Sequence, residues 1–354
     1  MAGWTVFKNL YIYGNTIYIV TSQPEILPPL RFIFSNGLPL EMQEDNEPDQ
    51  RTVAVVSPHE ADILFGGSAG LLDGVSFLQT DAPQFLHHMY HMVVEIFALG
   101  HWRTLSSTEL DSTFGGSDRP GPRRLVFAHC SREGWRDRAG MNEWVLQAAF
   151  GGMSIEFQDT WDFRMNIGKP FVFELVVLGD RAASHREHSW KDPSTPLPIS
   201  IKHDWWSPIR ESVIAFATSG LPPKSILKKP IVTYISRQRT GRRLREDDHN
   251  QLVASLRQLG QRYDYEIQIP IMEDLPKSEQ ILLLSQTTVL VGVHGNGLSN
   301  QLWLRPSPRT TVIEIFFPGG FAFDYEYTAR SLGLKHYGFW LDRFFSAPNL
   351  PPNT

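Results

Sequence analysis

The chain has 354 residues, 42% of them apolar and 12% aromatic, with 20% charged side chains and a net charge of −5. At roughly 150 residues per domain it has room for about two cores, and its apolar content excludes a disordered or collagen-like chain. Its one cysteine, Cys130, can build neither an internal disulfide nor a cysteine-based zinc cage, which excludes a disulfide scaffold. No stretch reaches the roughly 20 apolar residues of a membrane helix, and Met1 to Asn15 lacks the basic and apolar regions of an export signal. The expectation is a soluble globular chain without anchor or signal of its own, and its mild acidity argues against general nucleic-acid binding.

Phe7 to Tyr13 and Thr16 to Thr21 are aromatic and β-branched runs on either side of Gly14-Asn15, which predicts a hairpin. Leu30 to Ser35 and Thr52 to Val56 read as further strands. Three- and four-residue spacing of Phe85, Met89, Met92, Val93, Ile96 and Phe97 predicts a helix over Gln84 to Leu99. Leu125 to Ala128 and Pro170 to Leu178 read as buried strands, with a helix from Asn142 to Phe150 between them. Prolines, serines and charges then accumulate from Ala183 to Pro230. This divides the chain into a first domain over 1–205, a connection over 206–230 and a second domain over 231–354.

The second domain is regular. Strands at Ile231 to Ser236, Tyr265 to Ile271, Thr288 to Val293 and Thr311 to Phe317 alternate with helices at Asp247 to Leu259, Ser278 to Ser285 and Leu298 to Leu304. Such alternation predicts an α/β fold with a parallel, doubly wound sheet. Phe317 closes the series.

Val291 to Asn300 reads VGVHGNGLSN where an apolar strand gives way to a helix. Gly295 and Gly297 let the backbone approach a ligand, and the helix N-terminus behind them offers N–H groups and partial positive charge. That chemistry suits a phosphate, although the residues also read as an ordinary glycine turn with His294 as a satisfied donor. Tyr234 to Arg245 places five arginines after another apolar strand. A guanidinium fork matches phosphate oxygens, so Arg237, Arg242 and Arg243 are candidates for a diphosphate clamp, the alternative being a solvated charge run. On the expected first-half helix, His91 and Glu95 are four residues apart and share a face, as an acid–base pair or as interfacial side chains. Glu314 lies inside the apolar strand VIEIF and needs either a strand-edge position or donors such as ribose hydroxyls. His88 and His91 lie three apart, but no HExxH motif occurs to favour zinc there, and no Asp-x-Asp occurs.

Together these segments resemble glycosyltransferase family 61. The likeness rests on Ile235-Ser236-Arg237 with Arg242-Arg243, on Glu279-Gln280-Ile281, on Gly292 through Asn300 and on Val312-Ile313-Glu314. In the first half, His91-x-x-x-Glu95 is similar to the family's His-x-x-x-Asp/Glu helix, and Phe173 to Leu178 to a strand of its fungal members. Asn296 stands where the family often has alanine.

The resemblance implies a GT-B-like fold, two Rossmann-like domains facing a cleft. It implies an inverting, metal-independent transferase that moves GlcNAc, xylose or another pentose from a UDP-sugar to a hydroxyl of a glycan or glycoprotein, in the Golgi or endoplasmic reticulum lumen. Any membrane attachment would come from an anchor outside this chain. On this expectation Arg237, Arg242, Arg243, His294, Gly295, Asn296, Gly297 and Glu314 hold the donor, while Glu95, oriented by His91, removes the acceptor proton. No cofactor is required. Two other readings stand beside it: a nucleotide-sugar or glycan-binding module without turnover, and an α/β-hydrolase with Ser68 of Gly66-Gly67-Ser68-Ala69-Gly70 as nucleophile. The second has the wrong motif order, since its oxyanion-like loop at His294 follows the serine.

Overall fold

The structure is a computed structural model that describes residues 2–114, 120–186, 199–219 and 229–351. These residues form two compact units, 2–186 with 199–202, and 203–351. Each is built on one sheet, so the α/β expectation holds. Among the described residues no helix is long and apolar enough to cross a membrane.

The first unit carries β1 (Trp4–Tyr13), β2 (Thr16–Val20), β3 (Val53–Val56), β4 (Gly70–Gln79), β5 (Arg124–Phe127), β6 (Ser154–Glu156) and β7 (Phe171–Gly179). They lie in the order β3-β2-β1-β7-β4-β5-β6. Gly14 and Asn15 both take positive φ, 56° and 66°, and turn β1 antiparallel onto β2. β7 runs antiparallel to β1 and parallel to β4. Being central, it is buried along nearly its whole length, with Phe173, Val176 and Leu178 in a core shared with Leu10, Ile12, Leu78 and Val126.

Several local expectations change. Leu30 to Ser35 is not a strand: Pro28 and Pro29 lack ladder donors, Leu30–Phe32 forms a 3-10 turn, and Ser35 bonds to Asp180 instead. The expected helix over 84–99 occupies Tyr90–Trp102 with π-type turns, because Phe85 sits at φ 64° and stops it from starting earlier. β4 escapes the periodicity because its register shifts between Leu72 and Val75, where Gly74 at φ 72° donates to Glu174 at 2.6 Å. Ser68 lies in a helix-to-strand turn, with its hydroxyl donating to the Phe65 carbonyl at 2.9 Å. A hydrolase nucleophile needs a strand-to-helix elbow, so that reading is withdrawn.

The second unit carries β8 (Ile231–Ile235), β9 (Glu266–Gln268), β10 (Val289–Val293), β11 (Thr311–Ile315), β12 (Lys335–Trp340) and β13 (Arg343–Phe345), in the order β13-β12-β11-β10-β8-β9. All neighbours are parallel except β12 and β13. Leu252, Val253 and Leu256 of the helix Glu246–Tyr263 pack on Val232, Tyr234 and Val291. The series does not end at Phe317, for the polar helix Asp324–Ser331 and the strands β12 and β13 follow it. Within the expected connection over 206–230, Ser207–Ala217 is a helix packed on the helix Lys277–Gln286, and 220–228 lie outside the described residues. Trp205 and Trp206 anchor its start by indole N–H bonds to the carbonyls of Ser331 and Leu302, both at 2.8 Å.

One buried carboxylate ties the first unit together. Asp180, directly after β7, accepts from Ser35 N at 2.7 Å, Ser35 Oγ at 2.9 Å and Ala183 N at 2.9 Å. Burial, and next the charge of Asp81, push its carboxyl up to about 7. Between the ordinary carboxylate range and pH 7 the folded state therefore binds the extra proton, and this group's contribution to stability falls as pH rises. In melting experiments the stability of Asp180→Asn relative to wild type is expected to rise from pH 4.5 to 7.5, and a flat difference would refute the shift.

Candidate functional site

In the second sheet the chain starts at β8, moves outward to β9 and returns to β10 on the other side of β8. The strand order reverses between β8 and β10, and in open α/β sheets the crevice outside such a switch is where ligands bind. Both sequence-predicted loops leave from this point, since Ile235 at the end of β8 lies opposite Gly292 of β10.

Arg237 donates from Nη1 to the backbone oxygen of His294 at 2.9 Å. The guanidinium fills the space that a side chain at 295 would need: a Cβ on Gly295 would lie 2.0 Å from Nη1. Gly295 takes φ 132° and ψ −175°, a conformation open in practice only to glycine. Gly297 lies against Ile235, where a Cβ would come within 3.2 Å of Cγ2. Asn296 opens the short helix Asn296–Trp303, with its Oδ1 accepting from the Ser299 hydroxyl at 3.1 Å. Asn296 thus ties its side chain to Ser299 within the first turn of the helix.

His294 is fixed on every side but one. Its N–H donates to Ile315 O at 2.9 Å, its ring stacks on Phe316 at 5.3 Å, and Tyr325 meets it edge-on at 5.5 Å. Its Nδ1 lies 2.5 Å from Glu314 Oε1, and the other oxygen of Glu314 lies 2.8 Å from His336 Nε2. Glu314 is 0% exposed. Its donors are two imidazoles, so it does not reach out to a ligand, and the expected ribose contact is corrected. The His294 side chain keeps 21% exposure, and Nε2 is the ring nitrogen left without a protein partner among the described residues.

The arginine cluster divides. Arg239 is neutralised by Asp274, at 2.8 and 2.9 Å to its two oxygens. Arg242 and Arg243 are exposed, and Arg243 donates to Thr240 O at 3.3 Å. Burial, followed in the same direction by the Arg242 charge, lowers the Arg237 guanidinium from its ordinary value, and it remains a cation. Arg237 and Arg242 therefore contribute two positive charges that feel one another. Tyr325, buried at the same rim, has its phenol pushed well up by burial and then by Glu314 and Asp324, which keeps it a neutral hydroxyl beside Ser299.

The first unit has its own group of charges, gathered where β4 and β7 end and the helix Tyr90–Trp102 begins. His91 Nδ1 lies 2.8 Å from Glu95 Oε2, at 31% and 24% side-chain exposure. Burial alone would raise the Glu95 carboxyl, but the His91 hydrogen bond and the charges of Arg181 and His185 outweigh it and hold it below the usual range. Arg181 donates to Asp81 at 2.8 Å and lies 3.9 Å from Glu95. Asp81 and Arg181 were missed in the sequence, although Gly179-Asp180-Arg181 ends an apolar strand as Ser236-Arg237 does. Tyr325 and His336 lie beyond Phe317, where no regular pattern pointed to them. Among the described residues no group of three or more His, Cys, Asp or Glu side chains is placed to hold a metal ion.

Replacing Gly295 by alanine combines a strained φ with a collision against Arg237. Gly295→Ala is expected to cost about 1–3 kcal/mol in urea unfolding, and a neutral effect would mean that this close approach is not made.

No curated protein matches the chain. The family model Glycosyltransferase 61 matches residues 163–313, a stretch that runs from the helix before β7 into β11 and contains Arg237 and the His294 to Gly297 loop. That match supports membership of the chain in glycosyltransferase family 61, and with it a glycosyltransferase activity.

Proposed function

We propose that the chain is an inverting, metal-independent glycosyltransferase of the GT-B type, which moves a hexosyl or pentosyl unit from a UDP-sugar to a hydroxyl of a glycan or glycoprotein in the secretory lumen. The observation that carries this reading is the Arg237 guanidinium held against Gly295 and the His294 carbonyl at the switch between β8 and β10. Among the described residues Nη1 has one hydrogen bond, and the rest of the donor fork is available to diphosphate oxygens. Arg242 adds a second cation, and the helix Asn296–Trp303 the partial charge of its first turn. These groups neutralise the charge that develops on the departing diphosphate, the work a cation does in metal-dependent transferases. Each such contact is worth about 2–4 kcal/mol in a water-poor site.

For the proton of the acceptor hydroxyl, the geometry favours exchanging the expected roles of His91 and Glu95. A carboxylate held below its usual range is a weak base, whereas imidazole is the side chain whose ordinary titration lies near neutral pH. With Glu95 accepting at Nδ1, His91 carries its hydrogen there and offers the lone pair of Nε2. Glu95 orients the ring and stabilises the imidazolium that forms.

Arg237→Ala is expected to weaken UDP binding at least about tenfold in calorimetry, and an unchanged affinity would remove it from the donor site. His91→Gln is expected to lower turnover by about 10²–10⁴-fold with UDP affinity retained. Should Glu95→Gln be much the more damaging of the two, the carboxylate itself takes the proton.

A further inference from the structure

We infer that His336 is a positioning residue that sets the tautomer of His294 through Glu314. Three side chains from three places form one line: His336 on β12, Glu314 on β11 and His294 just beyond β10. β10, β11 and β12 are successive parallel strands, with Gly292 opposite Glu314 and His336 opposite Val312, so the line crosses the sheet obliquely and reaches the carboxyl rim at His294.

With Glu314 as a carboxylate and both rings neutral, the line takes one arrangement of hydrogens. Glu314 is fully buried and offers acceptors only, one oxygen to each imidazole at 2.5 and 2.8 Å. His336 Nε2 must then carry hydrogen. Its Nδ1 is buried with no hydrogen-bond partner among the described residues, so it holds a lone pair rather than a stranded N–H. Glu314 is thereby held at one oxygen, and its other oxygen is aimed at His294 Nδ1. A carboxylate there draws the His294 hydrogen onto Nδ1 and leaves Nε2, on the 21% exposed side of the residue, as the lone-pair atom facing the rim. The other groups that face His294 do not compete for its nitrogens. Phe316 and Tyr325 meet the ring through their π systems, and Arg237 bonds to the backbone oxygen.

Without the His336 donor, Glu314 would be a buried anion with one oxygen unsatisfied. It would rotate or take up a proton, and in either case lose its hold on His294. Glutamine can present an N–H near the position of histidine Nε2, whereas phenylalanine fills the space and donates nothing. His336→Gln is therefore the rescuing variant and His336→Phe the disabling one.

The experiment is ¹⁵N NMR of ring-labelled histidines in the whole chain without ligand, followed by UDP titration of the same samples. Wild type and His336→Gln are expected to show His294 with hydrogen on Nδ1, and His336→Phe a mixture of tautomers. Finding His294 protonated on Nε2 alone in wild type would overturn the inference even if His336→Phe fails to fold, and so would an unchanged tautomer in a folded His336→Phe. Any role of Nε2 as an acceptor toward a ligand hydroxyl rests on the proposed function, but the tautomer does not. Failure of UDP to bind a protein whose histidines behave as expected would count against the nucleotide-sugar reading and leave the relay standing.

Discussion

The second unit depends on a positive charge brought into contact with a backbone that has no side chain to keep it away. Arg237 can lie on the His294 carbonyl only because residue 295 has no Cβ and can occupy φ 132°. Neither condition helps the chain to fold. The conformation is strained, and a half-buried guanidinium gives up solvation for one neutral hydrogen bond. Positions that cost stability in this way mark places where the fold holds chemistry ready, and here two such costs meet at one strand-order reversal.

Charge burial follows the same logic deeper in the rim. Glu314 is tolerable at zero exposure because two imidazoles reach it from different strands. In the first unit the equivalent support is Arg181, which binds Asp81 directly and lies within ion-pair distance of Glu95. Each unit thus has a histidine backed by a carboxylate, and each carboxylate is held by a further basic side chain. His294 and His91 are the partly exposed ends of these two chains of support, and rings flank both: Phe316 and Tyr325 the first, Phe85, His88 and Tyr90 the second.

How much of this could be read from the sequence follows from which signals are local. The hairpin at Gly14-Asn15 and the strands β5, β7, β8 and β10 were legible because each is rich in apolar and β-branched residues and bordered by a turn signal. The arginine loop and the glycine loop were legible for the same reason, as each follows such a strand. β4 was lost because its bulge at Gly74 breaks the alternation, and the helix Gln158–Asn166 because its apolar residues follow no helical period. The fate of Glu314 was not legible either. Its partner His336 lies 22 residues further on, in a strand whose sequence, KHYGFW, mixes polar and aromatic residues. Whether a buried carboxylate meets ribose or imidazole is a question of tertiary pairing, and no single window contains both members.

The paired tryptophans at the head of the second unit bear on how the molecule can be taken apart. Trp205 and Trp206 are sealed by carbonyls that belong to that unit alone, from Ser331 and Leu302. A polypeptide begun at His203 would keep both anchors and the helix Ser207–Ala217 behind them. The proposed roles of Arg237 and His91 could then be assayed on separate pieces of chain, without a single substitution.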